Sequence, residues 1–315
     1  MLQPRQRSVQ KIGLYLTFLL LFSFSSLAFA AIPADAKNLR VYMEQVIGAQ
    51  AGRHAQNIQE LNRVSAWIRE QMRLFGVPCQ YQNYTVNSLP YRNVVCSLNT
   101  GKSQKVVVGA HYDVLQDAMG ADDNASGVAG VIEIARILAT EKASLKHNID
   151  FVFYTLAEPP YFRTENMGSF IHAKSLAKHK QQIVAVYILE MIGYFDENEV
   201  QQYPAGLKWI YPAHGNFIAA VGNLMSRDLT YDYCTAMRKL NALQCERLIA
   251  PSFMQDLDFS DHLNYWKFDF PAITITDTAM YRNKYYHTRQ DTLDRLDTEK
   301  MGHVVNGVVK MLLKE

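Results

Sequence analysis

The chain has 315 residues, 49% of them hydrophobic and 20% charged, with a net charge of +2. That length supplies a large core for one α/β domain. The near-neutral charge, with no basic tract, gives no electrostatic case for a nucleic-acid partner, and no internal repeat, low-complexity segment or long linker divides the chain.

At the N-terminus Arg5, Arg7 and Lys11 precede an apolar stretch over 12–27, followed by Ala28-Phe29-Ala30. A basic start, an apolar middle and a small-x-small end predict a secretory signal peptide over 1–30, cleaved after Ala30, with 31–315 as a single domain. An uncleaved membrane anchor is the alternative, and Ser23, Ser25 and Ser26 weaken it as a span. Either way the body of the chain is expected outside the cytoplasm, in the periplasm or beyond. Two helices are predicted over 38–47 and 57–75, the second with a core stripe of Leu61, Val64, Ile68 and Met72. Arg53 and His54 between them read as structural.

Cys79 and Cys96 flank a predicted hairpin whose turn lies at 87–90, so they can face each other across two strands. Cys234 and Cys245 form the second expected pair, in keeping with an exported chain. No cysteine–histidine spacing suggests a thiolate zinc site.

The stretch Lys105 to Leu138 organises the rest. Val106, Val107, Val108, Gly109 and Ala110 form an apolar run, the pattern of a strand buried on both faces in a parallel sheet. His111 and Asp113 close it, and Asp122, Asp123, Asn124, Ala125, Ser126 and Gly127 lead into apolar residues at helical spacing. Taken singly, these are a capped strand end and an N-cap cluster. Together they put an imidazole and carboxylates at the C-terminal end of a strand, where open α/β sheets bind ligands.

A second buried strand over 150–157 ends at Glu158-Pro159-Pro160, because the prolines cannot continue a central strand. A helix is predicted over 167–180, a third strand over 183–189 ending in Glu190, and a helix over 216–225. Ser260-Asp261-His262 opens a short helix, 271–276 forms a fourth strand, the loop 277–291 carries Tyr286 and His287, and 298–313 forms a terminal helix. This alternation predicts right-handed crossovers in an α/β three-layer sandwich: a mostly parallel central sheet with an antiparallel edge hairpin and helices on both faces. Parallel strands end on one rim, so His111, Glu158 and Glu190 can converge there. Carboxylates so gathered repel one another, a divalent cation relieves that cost, and mixed His and carboxylate donors suit zinc.

His111-x-Asp113, then Asp122-Asp123-Asn124-Ala125-Ser126-Gly127, a Glu at 158, an acid at 190 and His287-Thr288 resemble the secreted co-catalytic zinc aminopeptidases, the clan MH metallopeptidases, whose fold glutaminyl cyclases share. Glu158-Pro159-Pro160 and Met167-Gly168-Ser169 are similar to one bacterial branch. The resemblance implies that His111, Asp123 and Glu190 hold one Zn²⁺, that Asp123 bridges to a second held also by Glu158 and His287, and that Asp113 orients His111. His262 and Tyr286 are further candidates for the pocket. Where the family has Glu-Glu, this chain has Ala157-Glu158, which leaves an alanine at the general-base position.

The implied function is that of an exported zinc exopeptidase, an aminopeptidase acting on peptides, with activity impaired at Ala157. The alternatives are a glutaminyl cyclase and a non-catalytic relative that keeps the metals as a binding module. No Gly-x-Ser-x-Gly elbow supports a serine hydrolase.

Overall fold

In a computed structural model the structure describes residues 33–48, 52–204, 206–249 and 259–313. The expected leader over 1–30 lies outside the described residues.

Two helices come first, α1 (Ala36–Ile47) and α2 (Ile58–Leu74), opened by the side chains of Asp35 and Asn57 acting as N-caps. The hairpin is β1 (Cys79–Val86) and β2 (Leu89–Leu98), with Cys79 paired directly opposite Cys96 and bonded to it. Then follow β3 (Lys105–His111), α3 (Gly127–Thr140), β4 (Asn148–Tyr154), α4 (Gly168–Lys178) and β5 (Ile183–Leu189). The C-terminal half contains a small pair, β6 (Asp196–Val200) and β7 (His214–Gly215), then β8 (Phe217–Gly222), α5 (Arg227–Leu240) and β9 (Gln244–Ile249). It ends with α6 (His262–Trp266), β10 (Ala272–Thr276) and α7 (Thr298–Leu313).

Eight strands form one sheet in the order β1-β2-β4-β3-β5-β10-β8-β9. The central run from β4 through β3 and β5 to β10 is parallel, and the hairpin is antiparallel at one edge, as the sequence predicts. On the other side β8 runs antiparallel to β10 and parallel to β9.

Burial explains the centre. Val106, Val107 and Val108 are at most 3% exposed, and each such side chain contributes about 1.5–3 kcal/mol when buried. Val107, Val152, Val186 and Ile188 pack beneath α4 and α6 with Tyr265. On the opposite face α3 lies over β3 and β5, flanked by α1 and α7. Gly109 is required in β3, because a Cβ there would lie 2.5 Å from the Tyr154 hydroxyl oxygen.

One element differs from the sequence reading. The expected helix over 216–225 is β8 followed by a single turn over Leu224–Ser226. Phe-Ile-Ala-Ala-Val-Gly is a short apolar run buried throughout, and periodicity alone does not separate a buried strand from a buried helix. The free edge of β10 decides it.

Candidate metal centre

Each group of the centre sits where a sheet strand or its connection ends. His111 is the last residue of β3, Glu190 follows β5 directly, and Glu158 lies just beyond β4. Asp123 lies in the turn between β3 and α3, and His287 in the loop after β10. The parallel central strands carry these ends to one rim.

His111 Nε2 lies 3.4 Å from Asp123 Oδ1 and 3.2 Å from Glu190 Oε1. His287 Nε2 lies 3.1 Å from Asp123 Oδ2 and 3.0 Å from Glu158 Oε2. Asp123 therefore turns one carboxylate oxygen to each imidazole. In both triads, His111–Asp123–Glu190 and Asp123–Glu158–His287, one donor atom per residue lies within 4.8 Å of the others.

The remaining polar contacts hold these groups in place. His111 Nδ1 is 3.1 Å from the backbone carbonyl of Asp113 and 3.5 Å from its carboxylate. A carbonyl only accepts, so Nδ1 donates and Nε2 is the atom turned to the cluster. The Asp113 carboxylate accepts the backbone amides of Ala157 and Glu158, each at 3.2 Å, and so ties the end of β4 to the end of β3. Ser260 donates to Glu190 Oε2 at 2.7 Å. Tyr286 stacks on His287 with ring centroids 3.7 Å apart.

The donor set fits a divalent cation. Asp123 Oδ2, Glu158 Oε1 and His287 Nε2 are shut off from solvent, and none has a hydrogen-bond partner although ionic neighbours stand close. Buried polar atoms are normally satisfied, and a shared cation would satisfy these. Without one, the cluster takes up protons. Burial and the charge of Asp123 push Glu158 up to about 8. Burial opposes charge on His287, but Asp123 and Glu158 outweigh it and raise that ring to about 10. Burial likewise opposes charge on His111, yet Glu190, Asp113 and Asp123 hold it well above its usual value. Asp123 goes the other way: burial raises it, and the two imidazoles overcome that and lower it.

A cleft opens onto both triads. Besides the groups of the two triads it is walled by Ala157, Phe162, Met167, Phe259, Met280 and Tyr286. The sequence reading names Tyr286 as a pocket candidate, and it lines this cleft. His262 is fully buried and edge-on to Trp266, and is not among the residues lining it. Glu165 is exposed, with Lys174 Nζ 3.8 Å from its carboxylate, and does not line the cleft either.

Asp261, which the sequence reading treats only as a helix start, borders the cleft as a buried acid. Burial pushes it up to about 7, and both its oxygens are shut off from solvent. Its place beside Ser260, where a short helix begins, is the only mark it leaves in the sequence.

Known proteins decide the family. The description of peptidase family M28 matches residues 93–312, most of the chain. The chain belongs to peptidase family M28. Within reach of this M28 chain is the protein YfbL of Escherichia coli K12, 41% identical over 90% of this chain and 88% of its own. Leucine aminopeptidase 1 of the fungus Leptosphaeria maculans is 24% identical over 75% of this chain and 60% of its own length. The M28 fold is shared with the LapA aminopeptidase of Legionella pneumophila, at TM-score 0.72 and 19% identity over 89% of this chain and 72% of that one. It is shared also with a glutaminyl cyclase of Bacteroides thetaiotaomicron, at TM-score 0.68 and 18% identity over 91% of this chain and all (100%) of that one.

Proposed function

We propose that this M28 chain is an exported zinc aminopeptidase with a weakened proton-transfer apparatus. The observation that carries the metal reading is Asp123, whose two oxygens face two different imidazoles at 3.4 and 3.1 Å. In this reading His111, Asp123 and Glu190 hold one zinc, and Asp123, Glu158 and His287 hold another. Bound zinc would polarise a substrate carbonyl and make an attacking water more acidic.

The chain's own residues do the rest. Asp113 keeps Glu158 in register with β3, and Ser260 steers Glu190. The apolar wall of Phe162, Met167, Phe259 and Met280 excludes water and suits an uncharged N-terminal side chain. Ala157 stands where the resemblance calls for a carboxylate, and its methyl packs against Met167 and Phe170.

Export is part of the proposal, with 1–30 as leader and 31–315 as the functional domain. Disulfides at Cys79–Cys96 and Cys234–Cys245 support it, since such bonds persist outside the cytoplasm. Among the described residues no helix is long and apolar enough to cross a membrane.

Ala157 favours a second reading, a metal-holding module that captures peptide termini without cleaving them. The test for both is zinc analysis of protein purified without chelator, with a panel of aminoacyl-nitroanilides. We expect near two equivalents of zinc, none in Asp123→Ala, and slow turnover with a preference for leucyl over glutamyl or lysyl substrates. Full zinc retention in Asp123→Ala would overturn the bridging assignment. Zinc binding with no turnover on any substrate would favour the module, and cyclisation of an N-terminal glutaminyl peptide without hydrolysis would favour a cyclase.

A further inference from the structure

The segment from Met119 to Asp123 is gripped from two sides by groups that do not themselves line the cleft. From one side comes Arg53, a fully buried guanidinium in the connection between α1 and α2. It donates to the carbonyls of Tyr112 at 2.9 Å, Met119 at 2.9 Å and Gly120 at 2.5 Å. Gly120 has φ +64°, and a Cβ there would lie 2.3 Å from the Asp123 carbonyl and 2.7 Å from Arg53. Only glycine fits so close a backbone.

The loop after β10 grips the other side. The Asp291 carboxylate accepts two successive backbone amides: that of Asp122 is shared between Oδ1 at 3.0 Å and Oδ2 at 3.2 Å, and that of Asp123 goes to Oδ2 at 3.0 Å. The Asp291 carbonyl accepts the amide of Ala121 at 3.1 Å, and the Thr288 carbonyl that of Met119 at 3.2 Å. Asn283 donates to Asp122 Oδ2 at 2.8 Å. The same loop carries His287. The backbone that aims the shared carboxylate is thus tied directly to the element that supplies one of its imidazole partners.

We propose that Asp291 is a positioning residue for the metal centre, fixing the backbone of Asp123 relative to His287 so that both oxygens of Asp123 stay aimed at their separate partners. The proposal rests on the metal reading above. A site of this kind must be held to about 0.5 Å and 10–20°. A carboxylate that takes two successive backbone amides restricts rotation at Asp123, which one hydrogen bond to the side chain could not do. Arg53 holds the preceding carbonyls, and the Asp291 loop closes the frame.

The test is the zinc dissociation constant, measured by chelator competition, for wild type, Asp291→Ala and Asp291→Asn, with the melting temperature of each metal-free protein. Losing an outer partner of a metal ligand typically weakens affinity by about 10–100-fold. We expect that range for Asp291→Ala. Asp291→Asn has the same shape and keeps one acceptor, so it should fall between Asp291→Ala and wild type. Ser97→Ala is the control. It removes a 2.7 Å bond to Asp150, in the half of β4 away from the rim, and should leave zinc affinity at the wild-type value. A folded Asp291→Ala that binds zinc within about twofold of wild type would overturn the proposal, as would an equal loss in Ser97→Ala. Should Asp291→Ala fail to fold, the Asp291→Asn constant decides on the same terms. Wild type that binds no zinc would sink the metal reading itself, an outcome distinct from wild-type binding that Asp291→Ala leaves unchanged.

Discussion

At the scale of single residues, the proposed function turns on Ala157. Attack of water on an amide needs a group that takes the water's proton and returns it to the leaving amine, a role typically worth about 10²–10⁴-fold. A methyl group does neither. Glu158 is committed to the cluster, Glu165 faces solvent beside Lys174, and Asp261, which borders the cleft, has both oxygens shut off from solvent. Ala157→Glu should therefore raise turnover of a leucyl-nitroanilide by about 10²–10⁴-fold at equal zinc occupancy. The comparison is kcat for the two proteins with zinc measured in each. Family-typical turnover by wild type, with no gain in Ala157→Glu, would show that another group moves the proton.

Among elements, the disulfides do the local fastening. Cys79 and Cys96 bind the edge hairpin across directly paired positions, 17 residues apart in sequence, and Cys234–Cys245 joins α5 to β9 over 11 residues. Closing loops of that length stabilises by about 3 kcal/mol through the unfolded chain. The double variant Cys79→Ser/Cys96→Ser should lose about 3 kcal/mol in urea unfolding, with zinc content unchanged because the hairpin lies at the edge of the sheet. An unfolding midpoint equal to that of wild type would show that the bridge constrains nothing. The hairpin was legible because alternating residues and a turn leave little choice. The strand at 217–222 was not, because a short, wholly apolar run satisfies either period and only pairing alongside β10 selects the extended form.

For the molecule as a whole, metal, protons and stability are linked. Glu158, raised to about 8, and His287, raised to about 10, both carry protons at pH 6.5 in the metal-free protein and must lose them to bind a cation. By pH 8.5 the Glu158 proton is already largely gone, so less proton release opposes binding and zinc affinity should rise. A ligand that binds only the folded chain at 100 times its Kd adds about 2.7 kcal/mol. The zinc-induced rise in melting temperature, at one fixed zinc concentration, should therefore be larger at pH 8.5 than at pH 6.5. A rise that shrinks with pH would contradict the proton-loaded state of the cluster.

Much of the chain can be read without its fold: buried strands from uninterrupted apolar runs, the hairpin and its cysteines, the terminal helix from its periodicity, and a short list of acids and histidines at strand ends. Those are local properties, fixed by residue type and spacing. The packing of the chain settles which of the list meet. It turned one oxygen of Asp123 to His111 and the other to His287. It gave the Asp113 carboxylate to the amides of Ala157 and Glu158 and kept His262 out of the cleft lining. It also brought in Arg53 and Asp291, from connections on either side of the turn that holds Asp123. A buried arginine between two helices, or an aspartate four positions past a histidine, carries no periodic signal. What they touch is set by chain segments distant in sequence, and only packing the sheet brings those segments together.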